Sequence, residues 1–165
     1  MALLKVLKAP NPILKKKARP VEEAEFGFEL EEFVNSMLDT MYAENGVGLA
    51  APQVGDSRRI LVVEPRFGDE DASDVPLFIM INPEITLRSD DMIGCEEGCL
   101  SVPDFDFKVP RHKKINVRWR TPSGEKMFRT LSDFHAIVIQ HEIDHLDGIT
   151  LLERASRPHR RKWLQ

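Results

Sequence analysis

The stretch Ser132-Asp133-Phe134-His135-Ala136-Ile137-Val138-Ile139-Gln140-His141-Glu142-Ile143-Asp144-His145-Leu146 decides how this chain is read. Phe134, Ile137, Val138, His141 and His145 recur at the i, i+3, i+4, i+7, i+11 spacing, which predicts a helix over about 133–146. Ser132 is expected to cap it, and Gly148 lies just beyond its end. Both histidines fall on the apolar stripe. Residues i and i+4 share a helix face, about 6 Å apart along the axis, so His141 and His145 can hold one cation while Glu142 reaches a water beside it. A lone histidine on such a stripe is more often a satisfied core residue. Two of them at i, i+4 beside a glutamate turn the reading towards a metal, because unpartnered buried nitrogens would cost roughly 1–3 kcal/mol each. H-E-x-x-H on a helix marks metal-assisted hydrolysis but does not say which bond is broken.

Working outward, Leu30, Phe33, Val34, Met37, Leu38 and Met41 also fall at helical spacing, opposite Glu31, Glu32, Asn35 and Asp39. They predict an amphipathic helix from about Glu25 to Ala43, ended by Asn45-Gly46, with its Met and Phe stripe in the core. The pattern then changes. Arg59 to Val63, Leu77 to Ile81, Glu84 to Leu87, Ile115 to Trp119 and Glu125 to Thr130 are short, alternating or β-branched, and read as strands. Asn82-Pro83 and Pro122-Ser123-Gly124 read as turns, the second joining a hairpin, and 66–76 as a polar surface loop. Ser156-Arg157-Pro158 has room to start a final helix of about two turns. Helix, strands, then helix imply an α+β fold: mostly antiparallel short strands packed around the central H-E-x-x-H helix, with an amphipathic N-terminal helix. At 165 residues this suits a single domain over 1–165.

Composition narrows the setting. A net charge of −4 gives no global argument for DNA or an anionic membrane. No apolar run approaches the ~18 residues of a membrane span, and the N-terminus lacks the apolar core and cleavage site of a secretory signal, so a cytoplasmic protein is expected. Cys95 and Cys99, four residues apart, do not make a disulfide framework and fit a reducing compartment. The charges are unevenly spread, with a basic tail of Arg154, Arg157, Arg160, Arg161 and Lys162.

A catalytic metal site needs a third protein ligand and an open position for water. Downstream of His145 stand Asp147, too close for good geometry, and Glu153 and His159, which no motif supports. Upstream, Cys99 in Glu96-Glu97-Gly98-Cys99-Leu100-Ser101 is the better candidate, since Gly98 lets the backbone approach closely; taken alone, Cys99 reads as a small buried hydrophobe. A third segment, Gly46-Val47-Gly48-Leu49-Ala50-Ala51-Pro52-Gln53, marks tight backbone approach. It lacks the G-x-G-x-x-G and lysine of phosphate-cradling loops, and Gln53 offers an amide suited to an oxyanion site.

Together these three segments, in this order, resemble the peptide deformylase family; the resemblance extends weakly to Leu7-x-x-Pro10-Asn11-Pro12-Ile13-Leu14 and Val109-Pro110-Arg111. It implies removal of the N-formyl group from formyl-methionyl nascent peptides. It also implies one Fe(II) per chain, replaceable by zinc, nickel or cobalt, on Cys99, His141 and His145. Glu142 would carry the proton, and Gln53 with the Leu100 backbone N–H would hold the oxyanion. The peptide would lie as an added strand between Val47-Gly48 and Gly98, with methionine in a pocket of Val47, Cys95, Glu97, Phe134, Ile137 and Val138. Glu97 matches a position that pairs with Arg111, in a supporting role. Asp144 is expected to face away from the metal, either orienting a neighbour or forming a salt bridge.

The chain departs from the family pattern at Asp106, where many bacterial members carry arginine on the rim that receives substrate, and at Cys95, often aliphatic. Three other readings stand beside this one: a related N-terminal deacylase, an H-E-x-x-H peptidase independent of Cys99, and a non-catalytic metal-bearing module that docks on ribosomes. In the last, the basic tail would contact rRNA phosphates.

Overall fold

The structure, a computed structural model, describes residues 3–66 and 75–164. The elements in chain order are α1 (Phe28–Ala43), β1 (Gly48–Ala50), β2 (Ile60–Val63), β3 (Phe78–Arg88), β4 (Met92–Ile93), β5 (Glu96–Cys99), β6 (Val102–Lys108), β7 (Arg111–His112), β8 (Lys114–Arg120), β9 (Lys126–Ser132), α2 (Asp133–Leu146), α3 (Leu151–Arg154) and α4 (Arg157–Leu164). An antiparallel sheet in the order β1-β2-β3-β8-β9 forms the centre, with β4-β7 and β5-β6 as separate antiparallel pairs.

The sheet lies between two helices. Along β2 every residue is buried, and the alternation of strand side chains splits them. Leu61 and Val63 join Met80, Ile115 and Val117 against Ile139, Ile143 and Leu146 of α2. Ile60 and Val62 join Ile81 against Leu30, Val34, Met37 and Met41 of α1. Each such buried aliphatic side chain contributes about 1.5–3 kcal/mol. One face of the sheet therefore packs on α2, and α1 covers the opposite face. Almost all of α2 from Ala136 to Ile143 is buried, so it is a core helix on every side.

Three expectations are corrected. The first helix starts at Phe28 instead of Glu25, because Gly27 at φ +135° breaks the backbone and Glu23–Glu25 forms a separate tight turn. Asn82-Pro83 is not a turn between two strands but a bulge inside β3, where the register with β8 shifts between Ile81 and Glu84. Asn82, at φ +53°, accepts from the Val21 N–H and donates to the Val21 carbonyl, which anchors the bulge to the N-terminal segment. The span 92–112, without an expected strand, holds β4 to β7. The loop expected over 66–76 falls at 67–74 outside the described residues.

Other readings hold. Thr121 and Glu125 close the β8–β9 hairpin, and Gly148 at φ +76° follows the end of α2. Ser132 stands at the N-cap of α2 but makes no side-chain capping bond. The final helix forms as α4. Trp163 Nε1 donates to the Pro103 carbonyl at 2.8 Å, and Leu151, Leu152 and Ala155 pack with Val102 and Phe105. The C-terminal helices thus brace the β5–β6 hairpin.

Candidate metal centre

Two elements meet to build the centre. α2 is held in the core by its apolar neighbours, which fixes the direction of His141 and His145 on one face. The β5–β6 hairpin turns at Leu100-Ser101, with Cys99 paired to Val102, and a bulge between Glu97 and Cys99 re-aims the cysteine towards the helix. Cys99 Sγ lies 3.3 Å from His145 Nε2, and one donor atom from each of Cys99, His141 and His145 falls within 4.8 Å of the others. Tetrahedral coordination by two imidazoles and a thiolate has ligand–ligand edges of about 3.3–3.6 Å. The donor set therefore fits a cation that accepts nitrogen and sulfur. Glu153, weighed as a downstream ligand, caps α3 through Thr150, and Asp147 pairs with Arg59, so neither reaches this centre. The side chain of His159 lies outside the described residues.

Electrostatics prepare the thiol for a cation. Burial alone would raise the Cys99 thiol, but the facing His145 and His141 imidazoles outweigh it and hold it well below its ordinary range. A thiolate is the ligand form. His141 Nδ1 is 2.9 Å from Glu97 Oε1, which leaves Nε2 for the centre. Glu97 also accepts from Arg111 Nε at 3.0 Å and Nη2 at 2.8 Å. Arg111 Nη1 reaches Asp144 at 2.6 Å, and Asp144 accepts two further bonds from Arg154 at 2.9 and 2.7 Å. Asp144 thus makes the salt bridge weighed for it, and Glu97 is the residue that orients a histidine. Burial opposes ionisation of Glu97, but His141 and Arg111 overcome it and keep its carboxyl below the usual range.

Beside the centre lies a cavity of about 400 Å³. Gln53, Cys99, Leu100, His141 and Glu142 line it, and so do Val47, Gly48, Cys95, Glu97, Gly98, Phe134, Ile137 and Val138; His145 sits behind, 1% exposed. Glu142 is buried with Oε1 unpartnered, and burial pushes its carboxyl above the ordinary range. Its space comes from Gly48: a Cβ there would lie 2.5 Å from Glu142 Oε2. Gln53 Oε1 accepts from the Ala50 N–H at 2.9 Å, while Nε2 donates to Ser101 Oγ at 3.1 Å and to Cys99 Sγ at 3.7 Å. Such a long bond to sulfur leaves that amide hydrogen free to serve another acceptor. β1 and β5 each have one edge that no strand pairs among the described residues, and both edges border the cavity.

Sequence reasoning did not find Ser101, which fixes Gln53, nor Arg154, which completes the charge chain to His141. It also missed that Glu97 bonds His141; the signal was there, because Glu97 stands two residues before Cys99.

Along most of its length the chain is similar to known proteins. The polypeptide deformylase family profile matches residues 3–161. A peptide deformylase of Desulforudis audaxviator is 41% identical over 162 residues, covering 98% of this chain and 99% of that one. The solved class I type b peptide deformylase of Acinetobacter baumannii, bound to Met-Ala-Ser, superposes with a TM-score of 0.87 at 40% identity, covering 93% of this chain and 99% of that one. A plant peptide deformylase superposes at 0.90 with 32% identity, over 99% and 88% of the two chains. With the thiolate–imidazole centre, the Gly-rich strand and the cysteine hairpin all in one cavity, this chain belongs to the peptide deformylase family.

Proposed function

We propose that this chain is a metal-dependent amide hydrolase that removes the N-formyl group from formyl-methionyl nascent peptides, releasing formate. The observation that carries the reading is the buried, unpartnered Glu142 carboxylate beside three convergent N and S donors in one cavity. Cys99, His141 and His145 are the ligands, and one Fe(II) per chain is the proposed ion, with zinc, nickel or cobalt as substitutes. When bound, the cation supplies Lewis acidity, lowering the pKa of a water and polarising the formyl oxygen. His141 is held in its ligand orientation by Glu97, Arg111 and Asp144.

Glu142 takes a proton from the attacking water as the new C–O bond forms at the formyl carbon. Its raised pKa suits a carboxylate that must accept that proton and then release it. The Gln53 Nε2 amide and the Leu100 N–H stabilise the oxyanion. Glu142 then protonates the departing nitrogen, the C–N bond breaks, and the methionyl amine is freed. The peptide adds as a strand between Val47-Gly48 and Gly98, a mode that reads main chain. The open edges of β1 and β5 support this mode, and the related A. baumannii structure with Met-Ala-Ser bound supports a methionyl peptide as the ligand. Methionine occupies the pocket of Val47, Cys95, Phe134, Ile137 and Val138, with Glu97 at its back.

The whole of 1–165 is proposed as one catalytic domain acting in the cytoplasm; among the described residues no helix is long and apolar enough to cross a membrane. Ribosome contact is proposed through α4, where Arg157, Arg161 and Lys162 are exposed. Incubation with formyl-Met-Ala-Ser under anaerobic conditions tests the reading: formate and free Met-Ala-Ser are expected in equal amounts. Internal peptide cleavage without formate would favour a peptidase, and ribosome binding without turnover would leave only a docking module. Activity that decays in air and returns with nickel or cobalt would identify iron.

A further inference from the structure

The rim of the cavity is acidic. Glu96, Asp104 and Asp106 line it, and among the described residues no lysine or arginine does. Asp104 and Asp106 stand two residues apart on β6, both exposed, while Phe105 between them is buried. Asp106 follows the bulge of the hairpin, and its Oδ1 would lie 2.9 Å from a Cβ on Gly98. The carboxylate therefore stands beside Gly98 of β5, the strand against which an added peptide would run. None of the three carboxylates makes an ion pair among the described residues. Two cations come near: Lys8 donates to the Leu100 carbonyl, and Lys108 stands across from Glu96 in the strand register, but neither lines the cavity. The floor of the same cavity points to a ligand, since Glu142, 4% exposed, has no partner for Oε1.

We propose that Asp106, supported by Asp104 and Glu96, makes this site select formylated peptides that carry a lysine or arginine soon after methionine. This rests on the deformylase reading, which puts the formyl end at the metal centre and the following residues at the rim. A single exposed ion pair shifts an equilibrium by up to about fivefold. Attraction for a cation combined with repulsion of an anion gives about a tenfold difference in kcat/KM between formyl-Met-Lys and formyl-Met-Glu peptides at low salt. The ratio falls towards one as the screening length drops from ~10 Å at 0.1 M salt to ~3 Å at 1 M.

The test measures kcat/KM on the metal-loaded full chain for formyl-Met-Lys-Ser, formyl-Met-Ala-Ser and formyl-Met-Glu-Ser peptides. The Lys:Glu ratio is then compared between the native chain, Asp106→Asn and Asp106→Arg. Asp106→Asn is expected to reduce the ratio to about threefold, and Asp106→Arg to bring it to one or below. The salt series on the native chain needs no variant and guards against misfolding. Turnover of the neutral peptide with a Lys:Glu ratio below about twofold, or a ratio insensitive to salt, overturns the specificity and leaves the deformylase reading intact. No turnover of any of the three peptides overturns both.

Discussion

Gly48→Ala separates chemistry from folding in this protein. The new methyl group would stand 2.5 Å from Glu142 Oε2, and 3.0 Å from its Cδ and Cγ. Ordinary van der Waals contact begins at 3.4 Å, so the carboxylate has to retreat by about 0.9 Å. That retreat is cheap for stability, because the clashing atoms are the far end of a side chain that lines a cavity, and Gly48 does not occupy the left-handed region. It is expensive for catalysis. A misplacement of about 1 Å costs on the order of 10²-fold, or roughly 2.7 kcal/mol of barrier. The expected result is kcat/KM for formyl-Met-Ala-Ser down by about 10², with unchanged metal content and a thermal midpoint within a few degrees of the native chain. Retention of activity within about threefold would refute the reasoning. So would a loss accompanied by unfolding or loss of metal.

Three further outcomes follow from the same contacts. Glu142→Gln removes the proposed proton carrier and a buried, unpartnered carboxylate together, so formate release should fall by about 10²–10⁴ while denaturant stability holds or rises; a destabilised variant would contradict this. Arg111→Met leaves Glu97 and Asp144 without their shared cation, at a cost of about 3–5 kcal/mol in chemical denaturation, with a 10–100-fold weaker metal affinity by competition with a chelator. Glu25, bridging Arg19 and Arg58, is pulled down to about 2 chiefly by the Arg19 hydrogen bond. Its contribution is fully present above the unfolded glutamate pKa and disappears as pH falls from there towards 2. The stability gap between the native chain and Glu25→Gln should therefore close over that window, and a gap independent of pH would exclude the linkage.

The parts of the fold that were legible in the sequence are those whose burial is periodic over a long run. α2 announced itself because the apolar series and both histidines share one period. Four of the five strands of the central sheet were found, β3 as two pieces, within a residue or two at most ends; β1 was read only as a close backbone approach, because Gly48-Leu49-Ala50 is too short to show an alternation. The hairpin that carries Cys99 was not, because Glu96-Glu97-Gly98-Cys99 has no alternating apolar face. Its burial comes from α3 and α4, far along the chain. Asn82-Pro83 misled in a similar way. Locally the pair is turn chemistry, and only the tertiary bonds to Val21 make it a bulge.

The candidate site was legible to a different depth. Spacing alone gave the two histidines and Glu142, and left the third ligand open. The resemblance to the family selected Cys99. The resemblance also supplied the Glu97–Arg111 pair, but neither source gave the rest of the chain Arg154–Asp144–Arg111–Glu97–His141, since its members come from α3, α2, β7 and β5, and ion pairing between separate elements leaves no periodic trace.

The most direct test of the central claim is a titration of the metal-stripped chain with nickel or cobalt, following formate release from formyl-Met-Ala-Ser. If Cys99, His141 and His145 hold one cation that serves Glu142, the rate should rise in proportion to added metal and saturate at one equivalent. Cys99→Ala should abolish the high-affinity phase. Formate release independent of added metal, or saturation at one equivalent undiminished in Cys99→Ala, would contradict the account.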